Sequence, residues 1–259
     1  MKFRCERDAL VEQLGTASRA VSSRGGALPV LTGIHLNARD DLLTITGSDL
    51  EITVRASVSV AVTEPGEAVL PSRIAVDIVR SLDSGAVEVE VSGEEAKIVG
   101  GRSQFSVRTL PVDDFPVLGD PSGDEVTVAT ADLAAGLKQV VRAASGDDAR
   151  PILTGVLMSA EDGGLRLVAT DSYRLAVRDL PNATVLSDGQ KVLVPSRALD
   201  ELSRVLGESE EVRVRLGERE VTFDVSVKDG EVQVTTRLIE GEFPNYRQLI
   251  PSSYPNQLT

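Results

Sequence analysis

The chain contains two copies of one sequence pattern, and this repeat constrains its fold more than any other feature. Four blocks recur in the same order, and the distance between copies grows slowly along the chain. The matching pairs are Leu28–Ile34 with Arg150–Val156, Leu43–Asp49 with Leu165–Asp171, Val69–Arg73 with Leu193–Arg197, and Arg108–Leu110 plus Phe115–Pro116 with Arg237–Ile239 plus Phe243–Pro244. A repeat of this size is longer than the roughly 20–50 residues of a solenoid unit.

The repeat predicts two domains, over residues 1–120 and 125–250, because each copy is long enough to enclose its own core. The segment Pro111–Asp124, rich in Pro, Asp and Gly, is typical of the linker between them. Tandem copies of one domain suit a protein that presents the same surface more than once, for example to a repetitive polymer.

Each copy predicts an α+β domain of antiparallel strands with two helices. Apolar residues at helical spacing indicate first helices over Arg7–Val21 and Thr130–Ala144, and second helices that begin after Pro71 and Pro195. Ser72 is a plausible N-cap of its helix. Alternating apolar residues indicate strands, among them Val30–Leu36, Ile152–Ser159 and Tyr173–Arg178.

Composition limits the class of protein. A single cysteine, Cys5, excludes a disulfide framework within the chain and fits a reducing compartment. The first residues lack the apolar core of a signal peptide, and no apolar run reaches the roughly 18 residues of a membrane span. We therefore expect a soluble cytoplasmic protein with no membrane association.

The formal net charge of −13 argues against nucleic acid as a partner unless cations and anions are sorted onto different surfaces. The predicted helices do carry arginines, and Arg73 and Arg197 occupy the same position in the two copies. Acidic residues concentrate in the linker and strand turns, as in Asp113–Asp114 and Glu94–Glu95. The sequence thus predicts an electropositive helical face on an acidic body.

An enzyme is disfavoured by what the sequence lacks. His35 is the only histidine, and it falls on a predicted strand without a second histidine or a cysteine for a triad or metal cluster. No glycine-rich phosphate loop occurs. The adjacent carboxylates Asp113–Asp114 and Asp147–Asp148 are typical of solvated loops. No pattern points to a cofactor or a structural metal.

Several blocks together resemble the bacterial DNA polymerase III beta subunit, the sliding clamp. The resemblance covers the whole chain, and it rests on the joint order of motifs that are individually weak. The motifs are Met1–Phe3, Leu28–Leu31, Thr46–Glu51, Gly101–Ser106, Ala169–Val177 and Glu242–Tyr246.

Membership would imply tandem clamp domains with sheets outside and two helices of each domain lining the inner face. Such clamps are head-to-tail rings around double-stranded DNA; they catalyse nothing and tether the polymerase to its template. DNA contact is through the backbone rather than the bases. By position, the resemblance assigns the DNA-facing cations as Arg24, Arg73, Lys138, Arg142, Arg150 and Arg197.

The family also has a groove for short peptides of its partners, which include the DNA polymerase III alpha subunit, the clamp loader and repair polymerases. Apolar residues there accept a hydrophobic anchor, and polar neighbours orient the peptide. The matching positions are Leu153, Thr170, Ser172, Tyr173, Arg174, Leu175, Pro244, Gln248 and Leu249. Ser172-Tyr173 and Gln248 depart from residues that some members carry, so we expect the rim of this groove to have its own peptide preferences.

The family has three copies of the domain, whereas this chain has two. We therefore expect a truncated clamp in which residues 251–259 begin the connection to a third domain, which would supply the other wall of the groove. Full-length members form homodimeric rings, and their subunit interface matches Ile74, Ile78, Phe105 and Val107. Here these apolar groups would be exposed or find another contact. Two alternatives stay open: a peptide-binding adaptor that never encircles DNA, and a ring of three two-domain chains.

Overall fold

A computed structural model describes residues 1–22, 28–181, 183–207, 209–251 and 253. Four helices longer than two turns occur in these ranges: α1 (Arg7–Ser18), α2 (Ser72–Ser81), α3 (Thr130–Val140) and α4 (Ser196–Val205). Within the same ranges, no helix combines the length and apolar character needed to cross a membrane.

Seventeen strands are found in the described residues, and every named pairing between them is antiparallel. The strands of the first copy are β1 (Lys2–Glu6), β2 (Gly33–Arg39), β3 (Leu42–Ser48), β4 (Ile52–Ser59), β5 (Ala61–Glu64), β6 (Gly66–Pro71), β7 (Ala86–Ser92), β8 (Glu95–Gly100) and β9 (Ser103–Arg108). Those of the second copy are β10 (Glu125–Ala129), β11 (Gly155–Glu161), β12 (Gly164–Thr170), β13 (Leu175–Leu180), β14 (Lys191–Pro195), β15 (Glu211–Leu216), β16 (Glu220–Val227) and β17 (Gly230–Arg237).

The strands form three sheets, in the orders β5-β1-β7-β8-β9, β10-β15-β16-β17-β4-β3-β2-β6 and β13-β12-β11-β14. The fold is α+β, as the sequence predicts. The eight-stranded sheet draws strands from both copies, because β17 of the second copy pairs with β4 of the first. The two copies therefore share one continuous sheet.

Three predicted features of the elements are wrong. The segments Pro29–Thr32 and Pro151–Thr154 are 3-10 helices, so the strands predicted from Val30 and Ile152 begin only at Gly33 and Gly155. In each, proline at the first position favours a helical turn. The strand predicted from Tyr173 begins at Leu175. Ser72 is not an N-cap: Pro71 takes that position, no side chain caps the helix, and Ser72 is buried.

The core of the first copy lies between its sheets and helices α1 and α2. Leu10 and Leu14 of α1 pack with Ile45 of β3 and Val79 of α2. The end of α1 approaches β3 so closely that a Cβ built on Gly47 would lie 2.0 Å from the carbonyl oxygen of Ala17. Only glycine permits this approach without movement of the backbone.

The second core continues across the shared sheet into the first copy. Val54 lies opposite Val234, and Ala56 lies opposite Val232. These four residues belong to the same cluster as Leu199 and Leu202 of α4, and Ala20, which follows α1, joins it. The junction between the copies is therefore a buried apolar core and not a flexible hinge.

The four helices form one layer in the order α2, α1, α4, α3. Helix α1 packs against α2 and against β3 and β4, while α4 packs against α3 and against β16 and β17. An ion pair of 2.7 Å between Nε of Arg19 and Oε2 of Glu201 joins the end of α1 to α4. Helix α1 contacts β4, and α4 contacts β17, the neighbouring strand of the shared sheet. Because the Arg19–Glu201 ion pair also joins them, the two helices lie on one face of this sheet.

The opposite face of the shared sheet is polar, and part of the linker crosses it. Arg55 of β4 donates to the carbonyl oxygens of Leu118 (2.9 Å) and Gly119 (3.0 Å). On β2, the ring of His35 stacks on Phe115 with ring centroids 5.1 Å apart. These contacts hold the linker against the polar face of the sheet, which is the face away from the helices.

Candidate functional site

The helical face carries four of the six cations assigned to DNA. Arg73 on α2 is almost fully exposed and pairs with Asp77, at 3.9 Å. Lys138 on α3 and Arg142, just after α3, are exposed and have no ion-pair partner among the described residues. Arg197 on α4 is half-exposed. All four therefore lie on the helix layer that spans both copies.

The expected sorting of charge is only partly right. The described helices carry six cations and six anions, because Asp8, Glu12, Asp77, Asp132, Asp200 and Glu201 offset Arg7, Arg73, Arg80, Lys138, Arg197 and Arg204. The layer is thus neutral within a chain of net charge −13, rather than electropositive. Arg19 and Arg142, at the helix ends, tip the face towards positive charge.

Two of the expected DNA-facing residues differ from the rest. Arg24 lies outside the described residues. Arg150 lies on no helix: its Nε is 3.1 Å from Oδ2 of Asp147, and its Nη1 donates to Oγ of Ser172 at 3.3 Å. Ser172 belongs to the predicted peptide groove, so Arg150 lies beside the groove. A role for it in DNA contact stays a prediction.

The turn between β12 and β13 holds four of the groove residues in a fixed geometry. Oδ1 of Asp171 accepts hydrogen bonds from the backbone amides of Tyr173 and Arg174, both at 2.9 Å. Thr170 Oγ1 accepts from the amide of Ser172 at 3.1 Å and donates to the carbonyl oxygen of Arg174 at 2.7 Å. Ser172 has a φ of 79°, and these bonds stabilise that strained conformation.

The same turn presents two side chains to solvent. Tyr173 is 94% exposed. Nε of Arg174 donates to Oδ2 of Asp171 at 3.0 Å. The two amide hydrogen bonds hold the pKa of the Asp171 carboxyl below its ordinary value of 3.8. The positive charge of Arg174 lowers this pKa further, by a smaller amount. The carboxylate is therefore charged, and it organises the turn at neutral pH.

Leu175 brings this turn against the C-terminal segment of the second copy. It packs on a small cluster of Leu157, Val168, Leu193 and the buried Tyr246. Tyr246–Leu249 form a 3-10 turn, and Pro244, Gln248 and Leu249 around it are exposed. Leu153 is buried beside Ile152, which packs on the same cluster. The structure thus brings Leu175 to this apolar centre, with Leu153 beside it, while the exposed Pro244, Gln248 and Leu249 flank the buried Tyr246.

Charged residues also anchor the C-terminal segment. Glu161 accepts from Nη1 of Arg166 at 2.5 Å and from Nη2 of Arg247 at 2.6 Å. Arg166 also binds Asp179 through two hydrogen bonds, which hold the pKa of Asp179 below its usual range. A cleft of about 890 Å³ opens beside the segment and has Pro244 in its lining. Of the predicted groove residues, only Pro244 lines it.

The four residues matched to the family's subunit interface divide into two pairs. Ile74 is 51% exposed and Phe105 is 38% exposed, as expected for apolar groups without a partner. Val107 is instead buried in the first core, because it lies opposite the buried Ala96 in the β8–β9 pair. Ile78 is half-buried against the same core. The exposed patch is therefore smaller than the sequence predicts.

Comparison with known proteins identifies the family to which these surfaces belong. The model of the DNA polymerase III beta subunit N-terminal domain matches residues 1–119, and that of the central domain matches residues 127–245. The beta sliding clamp of Streptomyces coelicolor is 35% identical over 260 residues, which cover 98% of this chain and 68% of the relative. The clamp of Micrococcus luteus is 35% identical over 259 residues, covering 99% and 82%.

The chain belongs to the DNA polymerase III beta subunit family, the bacterial sliding clamps. Solved clamps share its fold. A sliding clamp of Bacillus subtilis matches with a TM-score of 0.88 at 33% identity, over 98% of this chain and 68% of that one. A Pseudomonas aeruginosa clamp bound to griselimycin matches with a TM-score of 0.88 at 32% identity, with the same coverage.

The clamp fold places side chains at both surfaces that sequence reasoning missed. Asp49 pairs with Arg197, Glu201 pairs with Arg19, and Glu161 pairs with Arg247, yet of these residues the sequence singles out only Arg197. A usable signal existed for Asp49, since it occupies the same repeat position as Asp171. No described group of three or more His, Cys, Asp or Glu side chains is arranged to hold a metal ion.

Proposed function

We propose that this clamp-family chain slides on double-stranded DNA with its helical face towards the duplex. The observation that carries the proposal is the continuity of that face: α2, α1, α4 and α3 lie side by side across both copies, joined by the Arg19–Glu201 ion pair. The names of the relatives, all sliding clamps, favour this function over that of a peptide-binding adaptor that never meets DNA.

The charge balance of the face suits sliding. Exposed cations such as Arg73, Lys138 and Arg142 attract phosphates without regard to base sequence. The anions among them weaken each contact. A neutral layer with a few free cations holds the duplex loosely, and loose, sequence-independent contact permits movement along it. In the proposed function nothing is catalysed, and the site of action is the cytoplasm.

The second half of the proposal is that Leu153, Leu175 and the segment around Leu249 form a groove for peptides of the polymerase and other partners. An apolar centre with exposed polar neighbours, Arg174 and Gln248, is suited to anchor and orient a short peptide. We propose that griselimycin, found bound to the Pseudomonas aeruginosa clamp, occupies the same groove here. Partners would thus be tethered to DNA.

Ring closure is the third part of the proposal. The exposed Ile74 and Phe105 lie on α2 and β9 of the first copy, and β9 is the edge strand of its sheet. An apolar patch beside an open strand edge is suited to pairing with another chain. In the homodimeric ring of a complete clamp, this edge would meet the second subunit.

The groove is tested by Leu175→Asp, with Val177→Asp as the matched control. Both residues lie on β13 with side chains on the same face, but only Leu175 packs on the Tyr246 cluster. A carboxylate at position 175 should abolish binding of griselimycin and of a polymerase III alpha-subunit peptide in titration calorimetry. The Val177→Asp control should have little effect on either affinity. A folded Leu175→Asp variant that keeps full affinity would refute the groove.

A further inference from the structure

The C-terminal segment Phe243–Leu249 supplies one wall of the proposed groove, but its groove residues make few apolar contacts of their own. Pro244, Gln248 and Leu249 are exposed, and Leu249 is 66% exposed. The wall therefore depends on contacts made by the residues between them. Tyr246, buried in the cluster with Leu175, is one such contact, and Arg247 is the other.

Arg247 ties the segment to the end of β11. Its Nη2 lies 2.6 Å from Oε2 of Glu161, and its Cζ lies 6.0 Å from the centre of the Tyr246 ring. The Tyr246 hydroxyl and the Glu161 carboxylate both raise the pKa of Arg247 above its ordinary value. The guanidinium thus lies near the Tyr246 ring, and the Glu161 carboxylate is its hydrogen-bond partner.

Glu161 is itself rigidly held. Its side chain is 14% exposed, and it accepts hydrogen bonds from Arg166 and from Oγ of Ser159. Arg166 is fixed by its two bonds to Asp179 on β13. The chain of contacts therefore runs from the sheet that carries Leu175 to the segment that carries Leu249. Neither Glu161 nor Arg247 is one of the groove residues.

The backbone of the segment transmits this anchoring to the groove wall. The amide of Tyr246 donates to the carbonyl oxygen of Pro244 at 2.7 Å, and the amide of Gln248 donates to that of Asn245 at 3.3 Å. In such a 3-10 turn, fixing one residue fixes its neighbours. The anchored Arg247 thereby sets the position of Gln248 and Leu249.

We propose that Glu161 and Arg247 are positioning residues of the peptide groove: their ion pair keeps the wall in its binding conformation without touching the peptide. This inference rests on the proposed function of the groove. Without the pair, the wall occupies its binding conformation for a smaller fraction of the time. The apparent affinity falls in proportion to the fraction of time that the wall spends in its binding conformation, while the contacts of the bound state are unchanged.

The test is a double-mutant cycle on the full chain, with griselimycin as the probe in titration calorimetry. The variants are Glu161→Gln, Arg247→Ala and their combination. Glu161→Gln leaves Arg166 bound to Asp179, so the sheet has no new unpaired charge. Arg247→Lys is the conservative variant. Lys191→Ala is the matched control, since Lys191 lines the same cleft and has no ion pair in the described part of the chain.

We expect Arg247→Ala to raise the Kd about fivefold, which corresponds to a half-exposed ion pair of ordinary strength. Glu161→Gln should have a similar effect, and the double variant should be no weaker than Arg247→Ala alone. Arg247→Lys should recover part of the affinity. The urea midpoint of the chain should fall only slightly in these variants, as expected for the loss of one partly exposed ion pair, so that a large fall would mark loss of structure and not a shift of the wall.

Three outcomes would overturn the inference while leaving the groove itself in place. One is a Kd that is unchanged in both single variants. Another is a double variant whose loss of binding free energy equals the sum of the losses in the two single variants, because the two residues would then act independently. The third is an equal loss in Lys191→Ala, which would mean that the charge of the cleft, and not the ion pair, matters. Failure of the unaltered chain to bind the probe would instead overturn the proposed groove.

Discussion

Nη1 of Arg197 on α4 lies 2.5 Å from Oδ2 of Asp49, which follows β3 in the other copy. The equivalent residues elsewhere in the repeat do not form this pair. Arg73, the counterpart of Arg197, pairs with Asp77 on its own helix. Asp171, the counterpart of Asp49, binds Arg174 within its own turn. One motif therefore joins the copies in one place and shapes the groove in the other.

The backbone of the two turns is nevertheless the same. Asp49 accepts from the amides of Glu51 and Ile52, as Asp171 does from Tyr173 and Arg174. Leu50 has a φ of 75°, close to the 79° of Ser172. Duplication preserved the turn, and the second carboxylate oxygen acquired a different partner in each copy.

Reversing the charge of both repeated arginines, Arg73→Glu with Arg197→Glu, should weaken DNA binding strongly. Each lost phosphate contact should reduce the slope of log K against log salt by about 0.9. Fluorescence anisotropy with a duplex over a range of salt concentrations measures this slope. The control is Arg102→Glu with Arg178→Glu, which removes the same charge from exposed positions off the helices. An unchanged slope in the helix variant would exclude the helical face as the DNA surface.

Asp49→Asn should change DNA binding in the opposite direction. The amide oxygen still caps the turn, but the negative charge that holds Arg197 is lost, so this arginine becomes free for phosphate. We expect tighter binding with a salt slope steeper by about 0.9. Because Arg197 is half-exposed, stability should fall by only about 0.5–1 kcal/mol.

The same anisotropy assay supplies the control for Asp49→Asn. In an Arg197→Gln background, where the freed cation no longer exists, Asp49→Asn should leave the salt slope unchanged. If Asp49→Asn increased DNA affinity equally in both backgrounds, the carboxylate of Asp49 would act on DNA by simple repulsion and not through Arg197.

The sequence predicts the α+β class, the tandem copies and most helices and strands, because repeats and apolar periodicity are local signals. It does not predict the shared sheet, since the pairing of β4 with β17 joins segments that are distant in the chain and carry no motif of their own. Arg150 shows the same limit: a cation next to a helix indicates a charged surface, but only the fold brings it to Ser172. The resemblance assigns Val107 to an exposed subunit interface, yet in the structure it lies opposite the buried Ala96 and belongs to the first core.

Two glycines of the first copy should respond to alanine in opposite ways. In Gly47→Ala the new Cβ would meet the carbonyl oxygen of Ala17 at 2.0 Å, so α1 must move away from β3. We expect a loss of about 2–4 kcal/mol in the free energy of unfolding. At Gly15, within α1, a Cβ would meet no described atom within 4 Å, and Gly15→Ala should stabilise the chain by about 0.5–1 kcal/mol.

Urea unfolding followed by circular dichroism measures both glycine effects. A Gly47→Ala variant as stable as the parent chain would show that the contact between α1 and β3 is not close-packed. A destabilising Gly15→Ala would show that this side of α1 is covered in solution.

Acid should open the groove turn only at low pH. Hydrogen bonds from the amides of Tyr173 and Arg174 lower the pKa of Asp171 below 3.8. A carboxyl whose pKa is depressed by folding stabilises the structure above its unfolded pKa, and this contribution is lost as the pH falls through the folded value. The turn, and with it griselimycin binding, should therefore weaken only below about pH 3.8.

Asp171→Asn separates this carboxyl from the other acids of the chain. The amide oxygen can still accept from Tyr173 and Arg174, but it does not titrate in this range. We expect slightly weaker binding at pH 7, since the ion pair with Arg174 is lost, and a flatter decline of affinity in acid. Calorimetric titrations between pH 3 and pH 7 measure both effects. The same decline in the variant and the parent would assign the acid sensitivity to another carboxyl, of which Asp179, held by Arg166, is the first to test.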